Sequence, residues 1–248
     1  MSTTLEREQK IAWAKEHKAT YVPNTEVVEG LARFTIVLVI GPTAVGKSYI
    51  IQKVIDSDPD RFSIAGTITT REGREGDPEN YRTDMDIDTL IERIKRGEIV
   101  QYDVHERTGQ IYASDLQSYQ TKIVLLPALA SSVAQIEKVG FPNIIKVGLL
   151  AEGESWQSHL RERRGGKDYA DRLKESEDCV QWLGSQRFDI PILENEIGNT
   201  DVTVQKLISI INRESVDTLS PQITARLQLE AIAVARQEVK SIVNMSNQ

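Results

Sequence analysis

The stretch that most constrains this chain is GPTAVGKS, residues Gly41 to Ser48, placed directly behind the apolar run Phe34–Ile40. It satisfies the spacing G-x-x-x-x-G-K-[ST] in the setting where that spacing has a mechanism, a buried strand before it and a helical segment after it. Glycines at 41 and 46 let the backbone curl so that successive N–H groups point inward at phosphate oxygens, and the helix N-terminus adds its positive dipole end. Lys47 reaches the terminal phosphates, and the hydroxyl of Ser48 is placed for Mg²⁺. The whole segment, Gly41, Pro42, Thr43, Ala44, Val45, Gly46, Lys47 and Ser48, is therefore read as a cradle for a nucleoside triphosphate. The alternative is an ordinary glycine turn. The spacing arises by chance in a chain of 248 residues with a probability on the order of one per cent, which favours the phosphate reading.

From Phe34 onward, short β-branched runs alternate with amphipathic segments, the sign of a layered α/β fold. Strands are expected at Phe34–Ile40, Phe62–Ala65, Ile99–Val104, Ile123–Leu126, Asn143–Leu150 and Phe188–Leu193. Helices are expected at Lys47–Asp56, Asp88–Arg96, Ser131–Val139, Ser155–Arg164, Tyr169–Gln186 and Val202–Ile211. The central strands are nearly all apolar, as parallel strands covered on both faces are. A short charged helix, Leu5–His17, and a connector with Pro23, Asn24 and Gly30 precede this region. A helix-prone tail follows, from Ser220 and Pro221 to about Met245, in which Ile223, Leu227, Ala231 and Val234 fall close to one helical stripe. Packing onto the chain's own core or onto a second copy through these terminal helices would each bury that stripe. The expected division is a helical extension over 1–33, one domain over 34–213 and a second helical extension over 214–248.

Acidic residues outnumber basic ones, 37 to 30, so the summed field does not favour nucleic acid or an acidic membrane surface. The single Cys179 cannot form an internal disulfide, and no secretory signal or long apolar span is legible, so a cytoplasmic location is expected.

A second constellation is Thr67–Tyr81, TITTREGREGDPENY, a loop rich in Arg, Gly and acids. Taken alone it reads as a solvated surface loop. Following the second strand of a phosphate-binding unit, however, Arg71 and Arg74 are spaced to converge on one further anion through paired N–H bonds.

At this point the chain resembles the guanylate kinases. The motifs GPTAVGKS, TTREGREG with a following Tyr81, YAS at Tyr112–Ser114, ERRGG at Glu162–Gly166 and DRL at Asp171–Leu173 occur in that family's order, over roughly Thr35–Ile211. The resemblance implies a P-loop NTPase fold with a central parallel sheet flanked by helices. It also implies a small monophosphate-binding lobe at about 66–116 and a helical lid at about 155–175. The implied reaction is transfer of the γ-phosphoryl group of ATP, with Mg²⁺, to a nucleoside monophosphate, GMP or a relative. By the same resemblance Arg71, Arg74, Tyr81 and Tyr112 grip the acceptor phosphate, and Thr67 and Ser114 present hydroxyls to the base. Arg161 or Arg163, with Arg172, are the implied lid arginines over the transferring group. Such a transfer spreads charge over equatorial oxygens, which positioned cations stabilise whatever the family.

Two departures touch the base. Gln101 stands where the family has a glutamate that accepts from two guanine N–H groups, and a neutral amide fits two donors less well. Asp103, two residues on and so on the same strand face, is placed either to supply that carboxylate or simply to meet solvent. The strand-end run IVLLPALASS puts Pro127 and Leu129 where the family has acids, and the loop holding His105, Glu106 and Arg107 is longer than the family's. Two other functions therefore stand beside the leading one: a P-loop kinase for another phosphorylated acceptor such as a sugar phosphate, and a non-catalytic protein-binding module. The intact glycine loop speaks against the module.

Overall fold

The computed structural model describes residues 4–77, 79–105, 108–162, 169–186, 189–196 and 199–246. In chain order they form α1 (Thr4–His17), α2 (Thr25–Leu31), β1 (Thr35–Ile40), α3 (Lys47–Ser57), β2 (Phe62–Ile64), β3 (Thr67–Thr69), β4 (Tyr81–Arg82) and α4 (Ile87–Lys95). These are followed by β5 (Gln101–Val104), β6 (Ile111–Ser114), β7 (Ile123–Ala128), α5 (Ala130–Lys138), β8 (Asn143–Leu150) and α6 (Gly153–Glu162). The last elements are α7 (Tyr169–Ser185), β9 (Ile192–Glu194), α8 (Thr200–Ile211) and α9 (Pro221–Ser246). A five-stranded sheet has the order β2-β7-β1-β8-β9, in which every step joins strands that are not consecutive in the chain except β8–β9, a parallel pair with Gly148 opposite Ile192 and with α6 and α7 between them in sequence. Such an order needs helical crossovers, so the expected α/β fold with a central parallel sheet flanked by helices is the observed one.

The chain divides into two compact units. One comprises Met1–Ile36, Asp60–Val124 and Ala134–Ile144 and contains a four-stranded sheet in the order β4-β3-β6-β5. Ile68, Tyr102, Val104, Ile111 and Ala113 from that sheet share a core with Ile87, Leu90, Ile91 and Ile94 of α4. Those four isoleucine and leucine positions follow helical spacing, Asp86 caps the helix by accepting from the Thr89 amide at 2.9 Å, and each buried side chain contributes about 1.5–3 kcal/mol. The N-terminal helix joins this core. Ala14 is fully buried, its carbonyl accepts from the Tyr102 hydroxyl at 3.0 Å, and Lys10 pairs with Asp88.

Several short elements were not legible in sequence. Residues 25–31, read as connector, form α2, capped by Asn24, whose side chain accepts from the Val27 amide at 2.9 Å; Val27 and Leu31 are buried. Strands β3, β4 and β6 are two to four residues long, too short for an alternating pattern to declare itself.

The second unit comprises Val37–Pro59, Leu125–Val133 and Ile145–Gln248. Here α9 packs on α6 and α7. Its buried stripe is Thr224, Leu227, Ala231, Ala235 and Glu238, which keeps Leu227 and Ala231 of the stripe read from sequence and differs at its ends: Ile223 is exposed and Val234 only half-buried, and their neighbours Thr224 and Ala235 are buried instead. Small residues at 231 and 235 let the helices approach closely, so the apolar face of this tail is used within the chain. No helix among the described residues is long and apolar enough to cross a membrane.

Candidate active site

Between the end of β1 and the start of α3 the glycine loop is tightly confined. A Cβ on Gly41 would lie 2.5 Å from the Leu149 carbonyl oxygen, and Gly46, at φ 95°, has the Asn195 amide against its Cα. Ala44 also adopts a left-handed φ, 65°, which costs a non-glycine residue about 1–2 kcal/mol and is tolerated where surroundings fix the backbone. Three side chains from outside the motif do the fixing. Trp156 of α6 donates its Nε1–H to the Thr43 carbonyl at 2.7 Å, and the Thr43 amide donates to Ser176 Oγ of α7 at 3.0 Å. Asn195, just past β9, donates from Nδ2 to the Val45 carbonyl at 2.9 Å. Two of the loop's carbonyls are thus tied to side chains behind it, the backbone arrangement a phosphate cradle requires.

Lys47 opens α3 and folds back along the loop, its Nζ 2.7 Å from the Gly41 carbonyl and 2.8 Å from that of Pro42. Ser48 follows in the first helical turn and is exposed. Among the described residues no group of three or more His, Cys, Asp or Glu is arranged to hold a metal. Ser48 offers one hard oxygen donor, which suits Mg²⁺ bound chiefly through phosphate oxygens and water.

Of the arginines expected in a lid, Arg161 lies on α6 with Nε 3.4 Å from Glu238 Oε1, and Arg172 lies exposed on α7, where its carbonyl accepts from Ser176 Oγ at 2.7 Å. Arg163 lies outside the described residues, as do Glu106, Arg107 and most of the ERRGG motif.

The expected acceptor residues gather on the four-stranded sheet. Cross-strand partners Thr67–Tyr81, Thr69–Tyr112, Gln101–Ser114 and Asp103–Tyr112 place Thr67, Tyr81, Gln101, Asp103, Tyr112 and Ser114 on one face, opposite the face that carries Ile68, Tyr102 and Val104 into the core. Arg71 follows β3 and is buried. Its Nη2 meets Asp77 Oδ1 at 2.6 Å, its Nη1 donates to the Glu72 carbonyl at 2.8 Å, and its guanidinium carbon lies 5.8 Å from the centre of the Tyr81 ring. The bond to Asp77 raises the Arg71 pKa, with Tyr112 adding to it; the same bond lowers that of Asp77. The other Asp77 oxygen accepts from the Arg74 amide at 2.8 Å, so one carboxylate closes the loop that carries both arginines, while the Arg74 side chain stays exposed.

The residues expected to read a base are differently placed. The Asp103 carboxylate takes Lys18 at 2.5 Å, and the buried Ser114 hydroxyl lies 3.1 Å from that of Tyr119, while Gln101 is half-buried. Sequence reasoning passed over Asp77, one acid among several in the Thr67–Tyr81 loop, and missed Trp156, Ser176 and Asn195, which no motif includes. It also missed a buried cluster behind the sheet, where Asp115 takes Arg82 in a two-pronged bond, Arg93 at 2.7 Å and Ser118. Burial pushes the Asp115 carboxyl up, but bonds from Arg82 and Arg93 outweigh it and hold the pKa at about 2.

With this geometry in view, the guanylate kinase family model matches residues 33–214. The chain belongs to the guanylate kinase family. It is 25% identical over 184 residues to the guanylate kinase of Prochlorococcus marinus subsp. pastoris, an alignment covering 71% of this chain and 96% of that one. Among solved structures, the guanylate kinase from Anaplasma phagocytophilum is 16% identical with a TM-score of 0.49, covering 75% of this chain and 89% of that one. A gluconokinase from Sinorhizobium meliloti is 13% identical with a TM-score of 0.31, covering 87% of this chain and 98% of that one. Helix α9 begins beyond the matched residues.

Proposed function

We propose that the chain is a nucleoside monophosphate kinase that transfers the γ-phosphoryl group of MgATP to a GMP-like acceptor. The observation that carries this reading is the pinned glycine loop, in which residues remote in sequence hold the Thr43 and Val45 carbonyls back and Lys47 lies along the loop. A loop kept only as a turn has no need of such support. On this reading the loop amides and Lys47 hold the β- and γ-phosphates. Ser48 would help hold Mg²⁺, which when bound would supply neutralisation of charge on the transferring group. Arg71, Arg74, Tyr81 and Tyr112 hold the acceptor phosphate in line. An acceptor phosphate oxygen bonds to the γ-phosphorus as the bond to the β–γ bridging oxygen breaks, releasing ADP. Arg161 and Arg172 serve the charge that spreads over the equatorial oxygens.

A second reading, an acceptor other than a guanine nucleotide, is favoured by one observation. Asp103, the candidate substitute for the missing glutamate, is drawn to Lys18, whereas Arg71 is buried and fixed by Asp77 in the loop expected to hold the acceptor phosphate. ADP release with MgATP against GMP, dGMP, IMP, the other common monophosphates and sugar phosphates separates the two. No turnover with any acceptor would leave the family fold serving binding instead.

A further inference from the structure

Helix α9 lies beyond the family match, yet it presents a deeply buried carboxylate to the lid. Glu238 is 1% exposed, and its Oε1 accepts from Gln157 Nε2 at 3.1 Å and faces Arg161 Nε at 3.4 Å. A carboxylate this deep requires a cation and hydrogen-bond donors, and α6 supplies both one turn apart. Arg161 itself is 55% exposed. A guanidinium is a planar fork, so giving Nε to Glu238 leaves the terminal nitrogens as the edge for an oxyanion. Other bonds dock α9 independently: Glu230 Oε2 accepts from the Gly153 amide at 3.4 Å, and Arg236 pairs with Glu177 at 2.6 Å.

We infer that Glu238 is a positioning residue for phosphoryl transfer: from the C-terminal helix it orients Arg161 toward the transferring group. The inference rests on the kinase reading of the preceding subsection and adds α9 to the machinery. Because α9 is held elsewhere and Arg161 is over half exposed, Glu238→Gln removes the charge and leaves the Arg161 guanidinium open to water.

The test is steady-state ADP release by the full chain and its Glu238→Gln, Arg161→Ala and double variants. Expected is a fall in kcat of at least about tenfold for Glu238→Gln, from misplacement of one charged group. KM for both substrates should stay within about twofold, since binding of the ground state is untouched. The double variant should be no slower than Arg161→Ala alone, because Glu238 acts only through Arg161. Should Glu238→Gln fail to fold, Glu238→Asp, which keeps the charge and shortens the arm, carries the same expectation. Wild-type kcat in the Glu238 variants, losses that multiply in the double variant, or a fully active Arg161→Ala would each overturn the inference while leaving the kinase reading intact. A wild-type chain inactive with every acceptor overturns the kinase reading, and the inference with it.

Discussion

Asn195 donates to the Val45 carbonyl across 150 residues of sequence, and its side chain sits where a Cβ on Gly46 would have to go. The glycine at 46 and the asparagine at 195 are one device: the first leaves room, and the second fills it with a hydrogen bond that fixes the loop. Asn195→Ala should therefore weaken ATP binding by roughly tenfold, about the worth of one buried hydrogen bond left unmade. Asn195→Asp should do worse, because it sets a carboxylate against a carbonyl beside the triphosphate. Calorimetric titration with ATP checks the order; equal affinity in all three proteins would remove Asn195 from the account.

Asp77 bonds both the Arg71 guanidinium and the Arg74 amide, so on the kinase reading Asp77→Asn should act on the acceptor alone. Arg71 loses the partner that aims it, and the acceptor KM is expected to rise roughly tenfold with the KM for ATP unchanged. A rise in both, or in neither, contradicts the assignment of Arg71.

The Asp115 cluster predicts a pH dependence of stability. Its folded pKa is depressed to about 2, below the usual value of 3.8, so its contribution is complete above the unfolded value and fades as pH falls toward 2. That contribution is on the order of 2 kcal/mol at neutral pH. The difference in Tm between wild type and Asp115→Asn should therefore be constant from pH 7 to 5 and shrink from pH 4 to 2. A difference that grows on acidification has the wrong sign.

Gln101 is expected to set base preference. Gln101→Glu places a carboxylate on the face that carries Ser114, its cross-strand partner, and should lower the KM for GMP roughly tenfold through charge-assisted bonds while leaving AMP unaffected. A parallel change for GMP and AMP would show that this residue does not read the base.

What sequence made legible, and what it hid, follows from the range of the interactions. The glycine loop, the long buried strands and the α4 face are local patterns, written within a few residues of themselves. The Arg71 loop was visible as a motif, but Asp77, its organiser, reads as one more acid in a charged stretch. Trp156, Ser176 and Asn195 support the glycine loop from more than a hundred residues away, and nothing in their immediate neighbours marks them. Helix α2 was lost because its seven residues bury only Val27 and Leu31, too few for a periodicity. The α9 stripe was read correctly at Leu227 and Ala231 but missed Thr224 and Glu238, which are buried although polar in sequence.

Whether the pinned glycine loop feeds a phosphoryl transfer is decided by ADP release measured with MgATP across nucleoside monophosphates, wild type against Lys47→Ala. Turnover is expected with at least one monophosphate, with a loss of roughly 100- to 1,000-fold on removing Lys47 and the thermal midpoint unchanged. Turnover that survives Lys47→Ala, or silence across every acceptor from a protein that still binds ATP, would contradict that role of the loop.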